Sequence, residues 1–126
     1  MLRQLRQRAS EALATAHQIV LSTGGPADIQ VEVLPCEAVG LALYVLVPRT
    51  SDLLFNLESN TAVVATADTW QARGVAALLP PGRYPERLAI ARTPEAAWCE
   101  VVEIRPTRLQ LRPTNGTGQG ETIDIW

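Results

Sequence analysis

Apolar residues recur along this chain of 126 residues with two different periods. Near the N-terminus they are spaced three and four positions apart, which is the period of one helix face. The residues with this spacing are Leu2, Leu5, Ala9, Ala12, Leu13 and Ala16. We therefore predict a leading amphipathic helix of about four turns within residues 1–17.

Beyond this helix the pattern changes to the alternation that is typical of strands. In IQVEVLP, the apolar Ile29, Val31 and Val33 share one face, and we predict a half-buried strand. The segment CEAVG that follows predicts a turn. The nearly continuous apolar segment LALYVLVP predicts a central strand.

The other predicted strands are short apolar or alternating segments of similar length. They are HQIVLST, TAVVATAD, WQARGVAALL, WCEVVEIRP, TRLQLRP and ETIDIW. Pro106 is predicted to break the chain between WCEVVEIRP and TRLQLRP. A short helix is predicted at SDLLFNLESN, with Thr50 or Ser51 as its cap. Its inward face is Leu53, Leu54 and Leu57. The proline-rich segment 80–97 predicts a loop with one short helix around residues 86–91.

About seven strands joined mostly by short turns favour closure into a barrel, because closure removes exposed sheet edges. We therefore predict a mainly β chain, an antiparallel barrel with helices at its ends, forming one domain over residues 1–126. Residues 114–120, TNGTGQG, predict a flexible loop. Their glycines precede no strand–turn–helix, and no lysine is present for a phosphate loop.

Composition narrows the chemistry that this chain can perform unaided. The formal net charge of −2 argues against a nucleic-acid partner. All eleven basic residues are arginine, which excludes Schiff-base chemistry on lysine. One histidine and two cysteines are too few for a structural zinc site, so no metal is expected. An enzyme of this composition is expected to depend on a cofactor.

The sequence also predicts a cytoplasmic protein. No run of about 18 apolar residues is present, so no membrane span is expected. The N-terminus lacks the continuous apolar stretch of a secretory signal. Cys36 and Cys99 are expected to be reduced and structural. His17 is expected at the end of the first helix, in a structural or surface role that suits a helix C-terminus.

The segment VPRTSDLLFNLESN contains a candidate anion site. A helix N-terminus presents free N–H groups and a positive pole. Arg49, Thr50 and Ser51 would add a guanidinium and two hydroxyl groups for a phosphate. Asp52 opposes this interpretation, because its carboxylate suits the positive pole and would repel a phosphate. A phosphate site and a simple helix cap both stay open at this point.

A second candidate lies in DTWQARG. Trp70 offers a stacking face, and Gln71 offers both a hydrogen-bond donor and an acceptor beside Arg73. The alternative is that Trp70 packs at the barrel rim and that Arg73 is solvated. Trp98 and Trp126 stand at strand ends, where large aromatic residues fill either subunit contacts or the monomer core.

These elements and residues together resemble the pyridoxamine 5′-phosphate oxidase-like proteins, the FMN-binding split β-barrels. The likeness covers about Leu5 to Arg112. It rests on QIVLST, LYVLVPRTSDLLFNLESN, TAVVATAD and WQARGVAALL. Its most specific part is the helix ending Asn56-Leu57-Glu58-Ser59-Asn60.

The resemblance implies a split antiparallel β-barrel of six to seven strands that forms a homodimer, with FMN in clefts at the dimer interface. The implied cofactor-binding residues are Leu46, Val47, Arg49, Thr50, Ser51, Gln71 and Arg73. Members usually continue the helix start as Ser-Arg-Lys, whereas here Asp52-Leu53 follows Ser51. Two charge-assisted contacts are thus missing, at about 1.5–3 kcal/mol each, which would weaken FMN binding by several powers of ten.

Two functions follow from the resemblance. The first is FMN binding with flavin-dependent oxidoreduction of an unidentified small molecule; no catalytic residue is predicted. The alternative is a non-catalytic dimeric split barrel that has lost flavin and serves as a binding or accessory module. Some members bind haem, but His17 alone is a poor axial ligand. Pyridoxamine phosphate oxidation is not expected, because the substrate-binding arginine and tryptophan of that enzyme are not identifiable here.

Overall fold

The structure is a computed structural model that describes residues 2–113 and 120–125. Within these residues it has seven strands: β1 (Gln18–Thr23), β2 (Gln30–Val39), β3 (Ala42–Pro48), β4 (Ala62–Thr66), β5 (Trp70–Leu79), β6 (Cys99–Leu111) and β7 (Glu121–Asp124). The α-helices are α1 (Leu2–Leu13) and α2 (Asp52–Ser59), and two short 3-10 helices span Ala89–Arg92 and Pro94–Trp98. No helix in the described residues is long and apolar enough to cross a membrane.

The strands form one antiparallel sheet in the order β3-β2-β1-β4-β5-β6-β7. A further antiparallel pairing of β3 with β6 closes the first six strands into a barrel, and β7 lies outside it against β6. The predicted mainly β barrel is therefore confirmed. Closure gives each of these six strands a paired neighbour on both sides.

The barrel interior is filled by apolar side chains. Trp70, Leu21, Val45 and Ile104 are fully buried in it. α1 covers part of this core with Ala9 and Leu13, its two buried residues. The amphipathic spacing of the first helix thus predicted its inward face, except for Leu2, which is 61% exposed.

α2 follows β3 and carries the face that was predicted for it. Leu53 is buried, and Leu54 and Leu57 pack partly against the barrel core. Asn56 is also fully buried on this helix, which the apolar pattern did not indicate.

β2 corrects the predicted turn at residues 36–40. The strand runs without interruption through Cys36, and the chain reverses at Gly40, whose φ of 60° is the left-handed conformation that glycine tolerates. Alternation continues past Leu34 and Cys36, which are both buried, so these residues belong to the strand.

The alternating pattern of β2 left open which of its two faces is inward. Ile29, Val31 and Val33 point away from the barrel, with exposed fractions of 77%, 57% and 61%. Alternation indicates that a strand has two unlike faces, and register decides which one is inward. Here the pairing of Leu34 with Ile19 fixes the even-numbered side chains inside.

β6 corrects the predicted strand break at Pro106. Gly74 is paired with Pro106 and Arg73 with Arg108, so Thr107 is the extra residue of a β-bulge. A bulge tolerates proline because the ladder is locally interrupted. Glycine is required opposite, since a Cβ on Gly74 would lie 2.7 Å from the carbonyl oxygen of Arg105.

α1 is shorter than predicted. It ends at Leu13, and His17 is an exposed residue beyond it, so the helix C-terminal role of His17 was wrong. The main chain leaves the helix through a bond from the Ala16 N–H to the Leu13 carbonyl, and the His17 carbonyl accepts the N–H of Cys36. The His17 carbonyl oxygen is thus hydrogen-bonded to β2 instead of to a further turn of α1.

The segment between β5 and β6 forms two 3-10 helices instead of the single helix predicted at 86–91. Thr93 separates them in an extended conformation, φ −77° and ψ 156°, which the following Pro94 favours. Leu88 from this segment is buried on the outside of the barrel against Tyr44 and Val101. Trp98 is 76% exposed, while Trp126 and residues 114–119 of the predicted loop lie outside the described residues.

Candidate functional site

One side of the barrel presents two outward rows of side chains across β2, β1, β4 and β5. The strand registers place Val33, Val20, Thr66 and Gln71 in one row and Val31, Ser22, Val64 and Arg73 in the next. Ile29, Ala62 and Val75 extend the surface, and we call these eleven residues the outward face. Its size is on the order of 400 Å², near the largest apolar patches on monomeric proteins.

The outward face is mostly β-branched, and Arg73 is its one charged member. A cleft of about 490 Å³ opens at Arg73, between Val64, Val75 and Ile29, and its lining is largely apolar. A second cleft of about 560 Å³ opens beyond Val20, between the end of α1 and the β4–β5 turn. Clefts of this size suit small-molecule ligands.

The second cleft gathers polar groups at the opposite end of the outward face. Its lining includes His17, Asp68 and Arg112 as well as Thr66 and Val33. The Arg112 guanidinium donates to the carbonyl oxygen of Asp68 at 3.3 Å, so it helps to hold the β4–β5 turn. No group of three or more His, Cys, Asp or Glu side chains in residues 2–113 and 120–125 could hold a metal ion.

Gln71 and Arg73 lie together on the outward face, as alternate residues of β5. Trp70, the first residue of β5, points inward and is fully buried. The proposal that it stacks on a ligand is therefore wrong, and it packs inside the barrel instead. Its indole N–H has no hydrogen-bond partner among the described atoms. Trp70 therefore contributes to this region by apolar packing.

The start of α2 is a well-formed helix cap. Ser51 is the N-cap residue, and its Oγ accepts the N–H of Leu53 at 3.1 Å. The same hydroxyl group donates to a carboxylate oxygen of Glu32. Asp52 adds a second carboxylate in the first turn. The helix-cap interpretation is therefore confirmed, and Glu32 is a participant that the sequence did not reveal.

Glu32 reaches α2 because it lies on the inner side of β2. It pairs with Leu21, which is buried, while Val31 and Val33 on either side point outward. Glu32 and Ser51 are 19 positions apart in the chain. No local pattern relates two residues at that separation, and a lone acid on an alternating strand is usually solvated.

Arg49 points towards β6. Its guanidinium donates to Glu100 at 3.1 Å and to the carbonyl oxygen of Ala97 at 2.9 Å. The Arg49 side chain is 58% exposed, so this ion pair contributes at most about 1 kcal/mol. Arg49 would have to break both of these exposed contacts to turn towards Thr50, which is also exposed.

Leu46 and Val47 are both buried, on opposite sides of β3. Val47 lies in the barrel core, and Leu46 lies outside it under Leu88. Neither residue lines the two clefts of the outward face. The seven residues implied by the resemblance thus occupy three places: the outward face, the start of α2, and the buried interior around β3.

The start of α2 does not fit the phosphate of FMN. Ser51 is already bonded to Glu32, and Asp52 lies at the positive pole of the helix. At an effective dielectric near 20, a carboxylate repels a unit charge about 5 Å away by roughly 3 kcal/mol. A phosphate carries more than one charge and would meet two carboxylates here.

The cysteines offer no redox centre. Both are free thiols, Cys36 buried and Cys99 half-buried. Burial raises the pKa of the Cys36 thiol to about 11. Burial, and then the nearby Glu95 carboxylate, raise the pKa of Cys99 as well. Thiols with raised pKa values are poor nucleophiles, in agreement with the structural role predicted for them.

No protein-family model matches this sequence, and no curated protein matches it. Solved structures match its fold. A candidate pyridoxamine 5′-phosphate oxidase from Listeria innocua has a TM-score of 0.67 at 16% identity, over 85% of this chain and 97% of that one. A FAD-binding protein from Mesorhizobium loti has a TM-score of 0.64 at 12% identity, over 82% and 88%.

A haem-binding protein from Mycobacterium smegmatis has a TM-score of 0.68 at 15% identity, over 93% of this chain and 57% of that one. Identities this low show likeness of fold alone. The chain therefore has the split β-barrel fold of the pyridoxamine 5′-phosphate oxidase-like proteins. Because proteins with this fold bind different cofactors, the ligand has to be argued from the residues of the site.

Proposed function

We propose that this protein is a homodimeric split barrel that binds a planar heteroaromatic ligand of the flavin type and acts as a binding or accessory module. The observation that carries the proposal is the outward face, an apolar surface that ends at Gln71 and Arg73. Its low charge suits the core of a subunit interface, where charged residues are depleted. In a two-fold symmetric dimer, the outward face of one subunit would pack against the same face of the second copy.

The ring end of such a ligand suits the cleft at Arg73. Val64 and Val75 supply apolar walls there. Arg73 can stack its guanidinium plane on an aromatic ring, and Gln71 can both donate and accept a hydrogen bond at the ring edge. No residue is assigned to catalysis, so the proposal is one of binding.

An FMN-dependent oxidoreductase is the second candidate. It is favoured by Arg49, a cation near Thr50 and Ser51 whose exposed bonds to Glu100 and to the Ala97 carbonyl oxygen would have to break. The flavin would supply the redox chemistry when bound. The misfit of the phosphate at α2 places this candidate second. A cytoplasmic location is also proposed, in keeping with the two free thiols.

Riboflavin and FMN titrations, followed by quenching of flavin fluorescence, test the proposal. We expect saturable riboflavin binding that Arg73→Ala weakens about tenfold, the loss of roughly 1.4 kcal/mol of contact. Arg83→Ala removes the same charge away from the outward face and should leave binding unchanged. Absence of saturable quenching by either flavin would contradict the proposed ligand. FMN binding tighter than riboflavin binding, and weakened by Arg49→Ala, would favour the second candidate.

A further inference from the structure

We propose that Glu32, together with Asp52, acts as a built-in anion at the start of α2, so that this protein discriminates against phosphate-bearing ligands. The helix pole that could hold a phosphate is neutralised by the chain's own carboxylates. The ligand class that remains is the uncharged heteroaromatic ring, riboflavin-like instead of FMN-like. The identity of that ring rests on the proposed function, whereas the exclusion of phosphate rests on α2 and β2 alone.

The first argument is the use of the hydrogen-bonding groups. A bound phosphate at this position would need the Ser51 hydroxyl group and the free N–H groups of the first turn. The hydroxyl group donates to Glu32, and its oxygen accepts the N–H of Leu53. The Ser51 hydroxyl group and the N–H of Leu53 are thus already bonded within the protein.

The second argument is that Glu32 is held in place. Its side chain is half-buried on the inner side of β2, in register with Leu21, which in turn is paired with Ala65. Both of these neighbours are fully buried. Withdrawing Glu32 from Ser51 would leave its carboxylate beside apolar side chains without this partner, which is unfavourable. A phosphate would therefore have to approach a fixed negative charge.

The third argument concerns Asp52. An acidic residue in the first turn stabilises a helix through the macrodipole, and it does so without a ligand. Asp52 is exposed, so it can rotate away and is screened by salt. Glu32 is therefore the stronger determinant, and Asp52 adds to it.

The experiment is a titration of the ¹⁵N-labelled full chain with inorganic phosphate at constant ionic strength, followed by the backbone amide signals of Leu53 and Leu54. The wild-type protein should show no saturable shift at millimolar phosphate. Glu32→Gln/Asp52→Asn keeps side-chain size and removes both charges. It should produce a saturable shift, with an apparent Kd at least about tenfold below the lower limit set by the wild-type titration. Glu58→Gln/Glu95→Gln removes two charges elsewhere and serves as the control.

Saturable binding of phosphate at α2 in the wild-type protein would overturn the proposal, whether or not the variant folds. A folded Glu32→Gln/Asp52→Asn protein that still ignores phosphate would also overturn it. A shift in the control variant equal to that in the test variant would reduce the effect to net charge and overturn it as well. None of these outcomes depends on flavin binding, so failure of the proposed ligand is recognised separately in the riboflavin titration.

Discussion

At the scale of residues, the start of α2 shows that a helix cap and an anion site use the same groups. The sequence narrowed the cap to Thr50 or Ser51 and placed Asp52 in the first turn, because capping is a local property of three or four consecutive residues. It could not place Glu32, whose contact with Ser51 depends on how β2 meets the end of β3. The distinction between cap and phosphate site is therefore made by a residue that is distant in sequence.

Cys36 gives a prediction for the pH dependence of stability. Burial raises its folded-state pKa to about 11, while an unfolded thiol titrates near 8.5. Its contribution is complete below pH of about 8.5 and is lost as the pH rises towards 11, because only the unfolded chain gains the thiolate. Over this range the wild-type protein should lose about 2 to 3 kcal/mol more stability than Cys36→Ala.

The measurement is the free energy of unfolding by urea for both proteins between about pH 8 and pH 11, a range that spans the unfolded and folded pKa values of the thiol. The difference between the two curves isolates Cys36 from the tyrosines that titrate in the same range. Parallel curves for wild type and Cys36→Ala would show that the thiol is accessible to solvent.

At the scale of elements, Asn56 joins α2 to the β1–β2 turn. Its amide nitrogen donates to the Thr23 hydroxyl group at 3.1 Å and to the Asp28 carbonyl oxygen at 2.7 Å. Its amide oxygen accepts the N–H of Ala27 at 2.9 Å. The backbone approaches so closely that a Cβ on Gly25 would lie 2.8 Å from that oxygen. The buried Asn56 amide thus satisfies backbone groups of the β1–β2 turn that have no strand partner.

Asn56→Ala is predicted to lower the free energy of unfolding by about 2 to 4 kcal/mol, because it leaves buried donors and acceptors unpaired. Asn60→Ala is the matched control, since its side chain also bonds the backbone, at Gly24 and Ala62, but is exposed. We expect the control to cost less than about 1 kcal/mol in urea unfolding. Equal losses for the two variants would mean that Asn56 is not a specific link.

The elements also show where sequence patterns end. Hydrophobic spacing identified β1, β3, β4 and β5 because each is a short apolar segment between turn residues. It divided β6 at Pro106, since the bulge that accommodates the proline depends on Gly74 in the neighbouring strand. It left the direction of Val31 open, because alternation alone does not choose the inner face.

At the scale of the whole molecule, the barrel was predictable and its clefts were not. A chain of about seven short strands reduces its exposed edges most fully by closing, and the β3–β6 pairing does this. The clefts at Arg73 and beyond Val20 are lined by residues of β1, β2, β4, β5 and β6. Their assembly follows from register, which the sequence specifies only through long-range pairing.

The oligomeric state in solution tests the central claim most directly, because the outward face explains both the interface and the ligand cleft. Light scattering at micromolar concentration should give twice the chain mass of 13.7 kDa for the wild-type protein. Val31→Asp places a charge in the outward face and should give the single-chain mass. Val39→Asp makes the same change at another exposed valine of β2, about 20 Å from Val33, and should remain dimeric. A wild-type protein with the single-chain mass, or a Val31→Asp variant that stays dimeric, would contradict the account.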